Sequence, residues 1–138
     1  MLAIPPAILP FMKPLNLKVL PGEFSVVRLG PGAPVPRWAL SGSIFSVTGT
    51  TEELSIVCEA HLVPAGLLSE TGWRALKVLG PLAFTDIGVL AALVNVLADC
   101  RISVFVVSTY DTDYILLKNS NLQRAIEALA AAGNALNS

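Results

Sequence analysis

Histidine is almost missing from this chain, cysteine is scarce and charge is sparse. Its 138 residues hold one histidine, His61, and two cysteines, Cys58 and Cys100, far apart in sequence. No metal-ligand spacing of these residues occurs, so no metal is expected. His61 has no Ser or Cys nucleophile and Asp at a telling spacing, which makes it a strand-end histidine rather than a catalytic base. Both cysteines read as small buried hydrophobes. Only 14% of residues are charged and the formal net charge is −1. Without a Lys/Arg cluster, neither nucleic acid nor an anionic membrane is an expected partner. Long apolar runs are missing as well. Ile87 to Ala98 is broken by Asn95 and falls short of the roughly 20 apolar residues that span a bilayer. Gly30-Pro31-Gly32 is followed by no Lys-Ser/Thr pair, so it is not a phosphate loop. With no base–nucleophile pair and no cofactor loop, the chain reads as a non-enzyme without cofactor.

What the chain does have is apolar surface: 54% of residues are hydrophobic. That excludes the disordered class and suggests one compact domain or two small ones fused. It is also more than a monomer readily hides, which points to an oligomer. The opening stretch MLAIPPAILPFMKPLN carries four prolines and no early positive charge. It lacks the charged start and cleavage site of a signal peptide. Residues 1–16 therefore read as a flexible N-terminal arm, with Met12 an open alternative start, and the protein is placed in the cytoplasm.

The chain repeats itself. Shifted by sixty residues, SIFSVTGTTEELSIVC (Ser43 to Cys58) falls on SVFVVSTYDTDYILLK (Ser103 to Lys118) without a gap, Glu53 meeting Asp113. Shifted by fifty, VVRLGP (Val26 to Pro31) falls on LKVLGP (Leu76 to Pro81). Each half reads strand, connection, strand, turn, strand. The first connection, GAPVPRWALSG, is so rich in proline and glycine that it leaves room for a helical turn at most.

Strands are expected at Leu17–Leu20, Phe24–Leu29, Ile44–Val47, Leu54–Cys58, Ala75–Leu79, Ile102–Val107 and Tyr114–Leu117, with a short helical turn within Pro64–Gly72. Leu90, Leu93, Val94 and Leu97 line one helix face, with Thr85 or Asp86 at its N-cap. A second helix is expected from Ser120, with Gln123 completing a capping box and Gly133 as its stop. The order β, α, β, β, α gives a ferredoxin-like α+β unit, an antiparallel sheet with helices on one face. Only NALNS follows Gly133, so the closing strand is expected to be missing and Leu17–Leu20 to supply an edge instead. ISVFVV and YILL are apolar on both alternating faces, which implies that something covers the face opposite the helices.

Two loops could carry chemistry. Ala83 to Leu93 leads into a helix N-terminus, where main-chain N–H groups attract a carboxylate. Gly88 there permits close approach to the backbone, and Asp86 can cap the helix or accept from an amine. The other loop, STYDTD (Ser108 to Asp113), is ordinary turn chemistry at Asp111-Thr112, flanked by polar groups that the matching turn TGTTEE does not share. Both loops also admit the plain reading of a capped helix and a solvated turn.

Taken together, FTDIGVL, ISVFVVSTYDTDYILL and ELSIVC resemble the ACT domain, the amino-acid-sensing module of metabolic enzymes such as aspartate kinases. A closer likeness is to tandem-ACT proteins, a group that includes small bacterial proteins and the CASTOR-type arginine sensors. The resemblance spans Leu17 to Gly133. It implies two tandem ferredoxin-like units, residues 17–72 and 73–138, the first with a truncated first helix. It further implies non-catalytic, regulatory binding of a free amino acid at an interface between ACT units. Carried over, the ligand-binding set is Thr85, Asp86, Ile87, Gly88 and Val89 from the helix loop, with Ser108, Thr109, Tyr110 and Asp113 from the hairpin. Amides near Gly88 would hold the carboxylate; Asp86 or Asp113 would pair with a cationic group. The arginine sensors have four such units and this chain two, so a homodimer is implied. The alternative is a ligand-free assembly module acting through sheet and helix packing.

Overall fold

The structure, a computed structural model, describes residues 14–79 and 88–137. In chain order the strands and helices are β1 (Asn16–Val19), β2 (Phe24–Leu29), β3 (Ser46–Gly49), β4 (Leu54–Glu59), β5 (Ser69–Val78), α1 (Val89–Asp99), β6 (Phe105–Ser108), β7 (Asp113–Lys118), α2 (Leu122–Ala131) and β8 (Ala135–Asn137). Short 3₁₀ turns lie at Arg37–Leu40, Ala60–Leu62 and Asn119–Asn121. This is an α+β fold with few helices and mixed strand pairing. The chain forms two compact units, one of Pro21–Arg74 and one that joins the N-terminal residues through Leu20 to Ala75 and beyond. The strand β5 contributes its first six residues to one and its last four to the other.

In the Pro21–Arg74 unit the strand order is β3-β4-β2-β5, all antiparallel. Alternation along the strands turns Leu54, Ile56 and Cys58 of β4 to one face. There they share a buried core with Val27 and Ala39. Ala39 comes from the Arg37–Leu40 turn, the single turn that the proline-rich connection allows. Trp38, Val47 and Val63 pack around this core. The helical turn expected within Pro64–Gly72 lies earlier, at Ala60–Leu62. Pairing of Ser69 with Val27 and Glu70 with Val26 draws that segment into β5 instead, and the Ser25 hydroxyl donates to Thr71 Oγ1 at 2.9 Å beside it.

In the other unit the order is β6-β7-β5-β1-β8. Leu17, Leu76, Val78, Ile115 and Leu117 form one core with Leu93 and Leu97 of α1 and Ala125 and Leu129 of α2. Each such leucine or isoleucine contributes about 1.5–3 kcal/mol through burial. Leu116, of opposite parity on β7, is buried as well.

Several expectations change here. The expected missing closing strand exists as β8, and it runs parallel to β1. The pairing is therefore mixed rather than antiparallel throughout: β1 and β8 are not joined by a hairpin, and the chain reaches β8 by way of α2. Leu17–Leu20, expected both to open the first unit and to serve as an edge, pairs with the last residues of β5 and groups with the second half. The first helix is preceded by Gly88 in the left-handed region (φ 77), in place of the expected Thr85 or Asp86 cap, which lie outside the described residues. The capping box at Ser120 does not form. A 3₁₀ turn fills Asn119–Asn121, and Gln123 donates to Glu127 on its own helix at 3.2 Å.

Both helices end in the same way. At α2, Asn134 N–H reaches the Leu129 carbonyl and Gly133 N–H the Ala130 carbonyl, a Schellman turn that Gly133 permits at φ 99. At α1 the same bonds join Ile102 to Leu97 and Arg101 to Ala98, but the left-handed position is held by Arg101, φ 58.

The hairpins repeat with an offset of 59 residues. Ser46–Gly49 answers to Phe105–Ser108, Leu54–Glu59 to Asp113–Lys118, and the 3₁₀ turn Ala60–Leu62 to Asn119–Asn121. The buried triplet Ile56-Val57-Cys58 thus matches Ile115-Leu116-Leu117. The sixty-residue shift of the sequence is one residue out, and one residue in a strand exchanges its faces. Asp113 is matched by Leu54, not Glu53.

Candidate functional site

The hairpin β6–β7 gathers one half of the candidate set. Ser108 pairs with Asp113 across the two strands. The Ser108 hydroxyl donates to the Asp113 carboxylate at 2.6 Å, a length suited to a charge-assisted bond. Among the described residues no basic side chain is paired with that carboxylate. Both residues share the parity of Ile115 and Leu117, so they lie on the sheet face that the two helices cover.

Thr109 closes the turn. Its N–H donates to the Thr112 carbonyl at 2.8 Å and its hydroxyl to the same oxygen at 3.1 Å. The Thr112 N–H donates back to the Thr109 hydroxyl at 3.3 Å. Tyr110 stands at the tip, 82% exposed. Thr112, expected from sequence to serve the turn alone, is 6% exposed, and its hydroxyl donates to the main-chain carbonyl of Val78. The sequence signal for it is weak, because threonine is common in turns. The hydrogen bond ties the hairpin to the last residue of β5, just before the segment that leads to α1.

Gly88 and Val89 stand at the start of α1. The Ala92 N–H takes the Gly88 carbonyl at 2.9 Å as the first helical bond. Among the described residues a Cβ on Gly88 would meet nothing within 4 Å, and its φ of 77 is one that glycine adopts readily. Val89 is buried, 7% exposed. Thr85, Asp86 and Ile87 lie outside the described residues. The structure therefore brings Ser108, Thr109 and Asp113 together, and Gly88 with Val89, as two groups in one unit.

The other residues singled out from sequence have simpler places. His61 is exposed in the turn after β4. Cys58 is fully buried, and burial first, then the neighbouring Glu59 carboxylate, raise its thiol pKa above the ordinary value. Among the described residues no cluster of His, Cys, Asp and Glu is placed to hold a metal. Nor, among them, is any helix long and apolar enough to cross a membrane.

The family model of the ACT domain matches residues 68–131. A model of an N-terminal domain matches residues 22–66. The protein Atu0741 from Agrobacterium tumefaciens is 35% identical over 91% of this chain and 93% of its own, with a TM-score of 0.86. Residues 68–131 belong to the ACT domain family, and the chain as a whole is a relative of Atu0741. Two more distant structures share the fold of this chain. One is VC0802 from Vibrio cholerae, 23% identical, covering 85% of this chain and 88% of that one, TM-score 0.68. The other is the regulatory subunit of aspartate kinase from Thermus flavus, 11% identical, covering 87% and 99%, TM-score 0.60.

Proposed function

We propose that this ACT protein is a non-catalytic regulatory protein that binds a free amino acid. The observation that carries this reading is the Ser108–Asp113 pair, set on the helix-covered face of the sheet and tied beside the end of β5. A carboxylate with a hydroxyl neighbour and, among the described residues, no basic partner suits an ammonium or guanidinium group. The main-chain amides at Gly88 and Val89 are the natural seat of the ligand carboxylate. Thr85, Asp86 and Ile87, outside the described residues, belong to the ligand set that the ACT resemblance implies, with Asp86 as a second acceptor for a cationic group; Thr109 and Tyr110 border the hairpin side.

Both halves are read as tandem ferredoxin-like ACT units, the first with its first helix cut to a single turn. The 59-residue correspondence of hairpins supports this. The ligand lies at an interface between ACT units, for which a cytoplasmic homodimer supplies the facing copy.

The test is a thermal-shift panel of the proteinogenic L-amino acids at millimolar concentration. Ligand at 100 times Kd stabilises by about 2.7 kcal/mol. At least one member should raise the melting temperature of the wild type and fail to do so with Asp113→Ala. No shift with any member refutes the reading.

A second reading, a ligand-free assembly module, is favoured by the strand edges. Among the described residues β3 pairs with β4 alone and β6 with β7 alone. Phe45 beside β3 is 45% exposed, and such edges invite another chain. A melting temperature that rises with protein concentration and ignores every amino acid would select it.

A further inference from the structure

The two hairpins provide a comparison within one chain. In the β3–β4 turn the Thr50 N–H donates to the Glu53 carbonyl at 2.9 Å, and the Glu53 N–H to the Thr50 hydroxyl at 3.1 Å. The Thr50 hydroxyl also lies 3.4 Å from the Glu53 carbonyl. These are the bonds that Thr109 and Thr112 make in the β6–β7 turn. The fourth position is Glu53 in one turn and Thr112 in the other, so the turn closes without a hydroxyl there. The Thr112 hydroxyl serves something else. It is buried, and its partner, the Val78 carbonyl, lies 34 residues away in sequence on another strand. A buried hydroxyl without a partner is costly, so this side chain fixes where the turn sits.

We propose that Thr112 is a positioning residue: its hydroxyl holds the Ser108–Asp113 pair against the end of β5, and through that pair sets the affinity of the amino-acid site. The affinity clause rests on the reading given under Proposed function; the positioning clause does not. Asp113 follows Thr112 directly, and Ser108 is bonded to Asp113. Loosening the tie therefore frees the turn to move as a piece, taking the carboxylate with it. The first hairpin, with Glu53 and Leu54 in place of Thr112 and Asp113, has neither a hydroxyl at the first of these positions nor a carboxylate at the second.

The experiment compares Thr112→Val, which keeps the shape and removes the hydroxyl, with Thr112→Ser, which keeps the hydroxyl. Amide hydrogen exchange is read in the ligand-free protein. Exchange at the amides of positions 109 and 112, both bonded within the turn, should rise about tenfold in Thr112→Val, the equivalent of one net hydrogen bond. It should stay near wild type in Thr112→Ser, and amides in α2 should not respond. Unchanged exchange at the turn in Thr112→Val overturns the proposal. If Thr112→Val does not fold, Thr112→Ala takes its place: a tenfold rise at the turn supports the proposal and unchanged exchange overturns it. For affinity, the probe is whichever L-amino acid in the panel most raises wild-type melting. Its Kd should weaken about tenfold in Thr112→Val. Arg124→Ala, a destabilised control outside the site, should bind as wild type does. Equal affinity in Thr112→Val and wild type overturns the affinity clause. A panel with no response refutes the amino-acid reading and leaves the exchange result to decide the positioning role.

Discussion

Ser108 and Asp113 face each other across β6 and β7, hydroxyl to carboxylate at 2.6 Å, at the positions where the other hairpin has Gly49 and Leu54. The hairpin fold therefore does not need them. Ser108 is exposed and Asp113 half-exposed, so Asp113→Asn and Ser108→Ala should each change unfolding free energy by at most about 1 kcal/mol. Both should reduce or abolish the amino-acid response. Urea unfolding and thermal shift, run on the same samples, separate the two effects.

Arg101 holds the left-handed position that closes α1, where glycine is the usual occupant. That conformation costs a non-glycine residue about 1–2 kcal/mol, partly offset by the extra chain entropy of glycine. Arg101→Gly should therefore stabilise the protein by about 0.5–1 kcal/mol, a rise of about 2–4 °C in Tm for a chain of this size. Calorimetry checks it; a lower Tm would contradict the assignment.

Arg124 links the two helices. Its guanidinium donates to the Cys100 carbonyl at the end of α1 and to Asn121 Oδ1, each at 2.8 Å. A cation at a helix C-terminus is also favoured by the helix dipole. The group is exposed, so Arg124→Ala should cost about 1 kcal/mol. Leu129→Ala, which opens the core beneath, should cost about 2–5 kcal/mol. Denaturant midpoints should rank the two in that order.

Cys58 and Cys100 should differ in reactivity. Cys58 is fully buried with a raised thiol pKa, and Cys100 is half-exposed. Iodoacetamide should label Cys100 first and Cys58 only on unfolding. A raised folded pKa means that the stability from the neutral Cys58 thiol is fully present below the unfolded value, about 8.5. It is lost as pH rises through the higher folded value. Unfolding free energy should therefore fall more steeply above about pH 9 in the wild type than in Cys58→Ala.

Much of the fold can be read from alternation and spacing. The face of Leu93 and Leu97, the strand Phe24–Leu29 and the stop at Gly133 all stand in the structure. What the sequence hides depends on distant partners. Ala135–Asn137 becomes a strand because β1, more than a hundred residues earlier, offers its edge. Ser69–Gly72 joins β5 because β2 pairs with it. The site is partly legible. The STYDTD stretch stands out for its polarity, but threonine in a turn carries no sign of burial, so Thr112 passes for an ordinary turn residue.

The most direct test of the account is a heteronuclear NMR titration with the L-amino acid that most raises Tm. The account predicts saturable shifts concentrated at the amides of Gly88, Val89, Ser108, Thr109 and Asp113, absent in Asp113→Ala. Saturable shifts confined to the Pro21–Arg74 unit, or none with any amino acid, would contradict it.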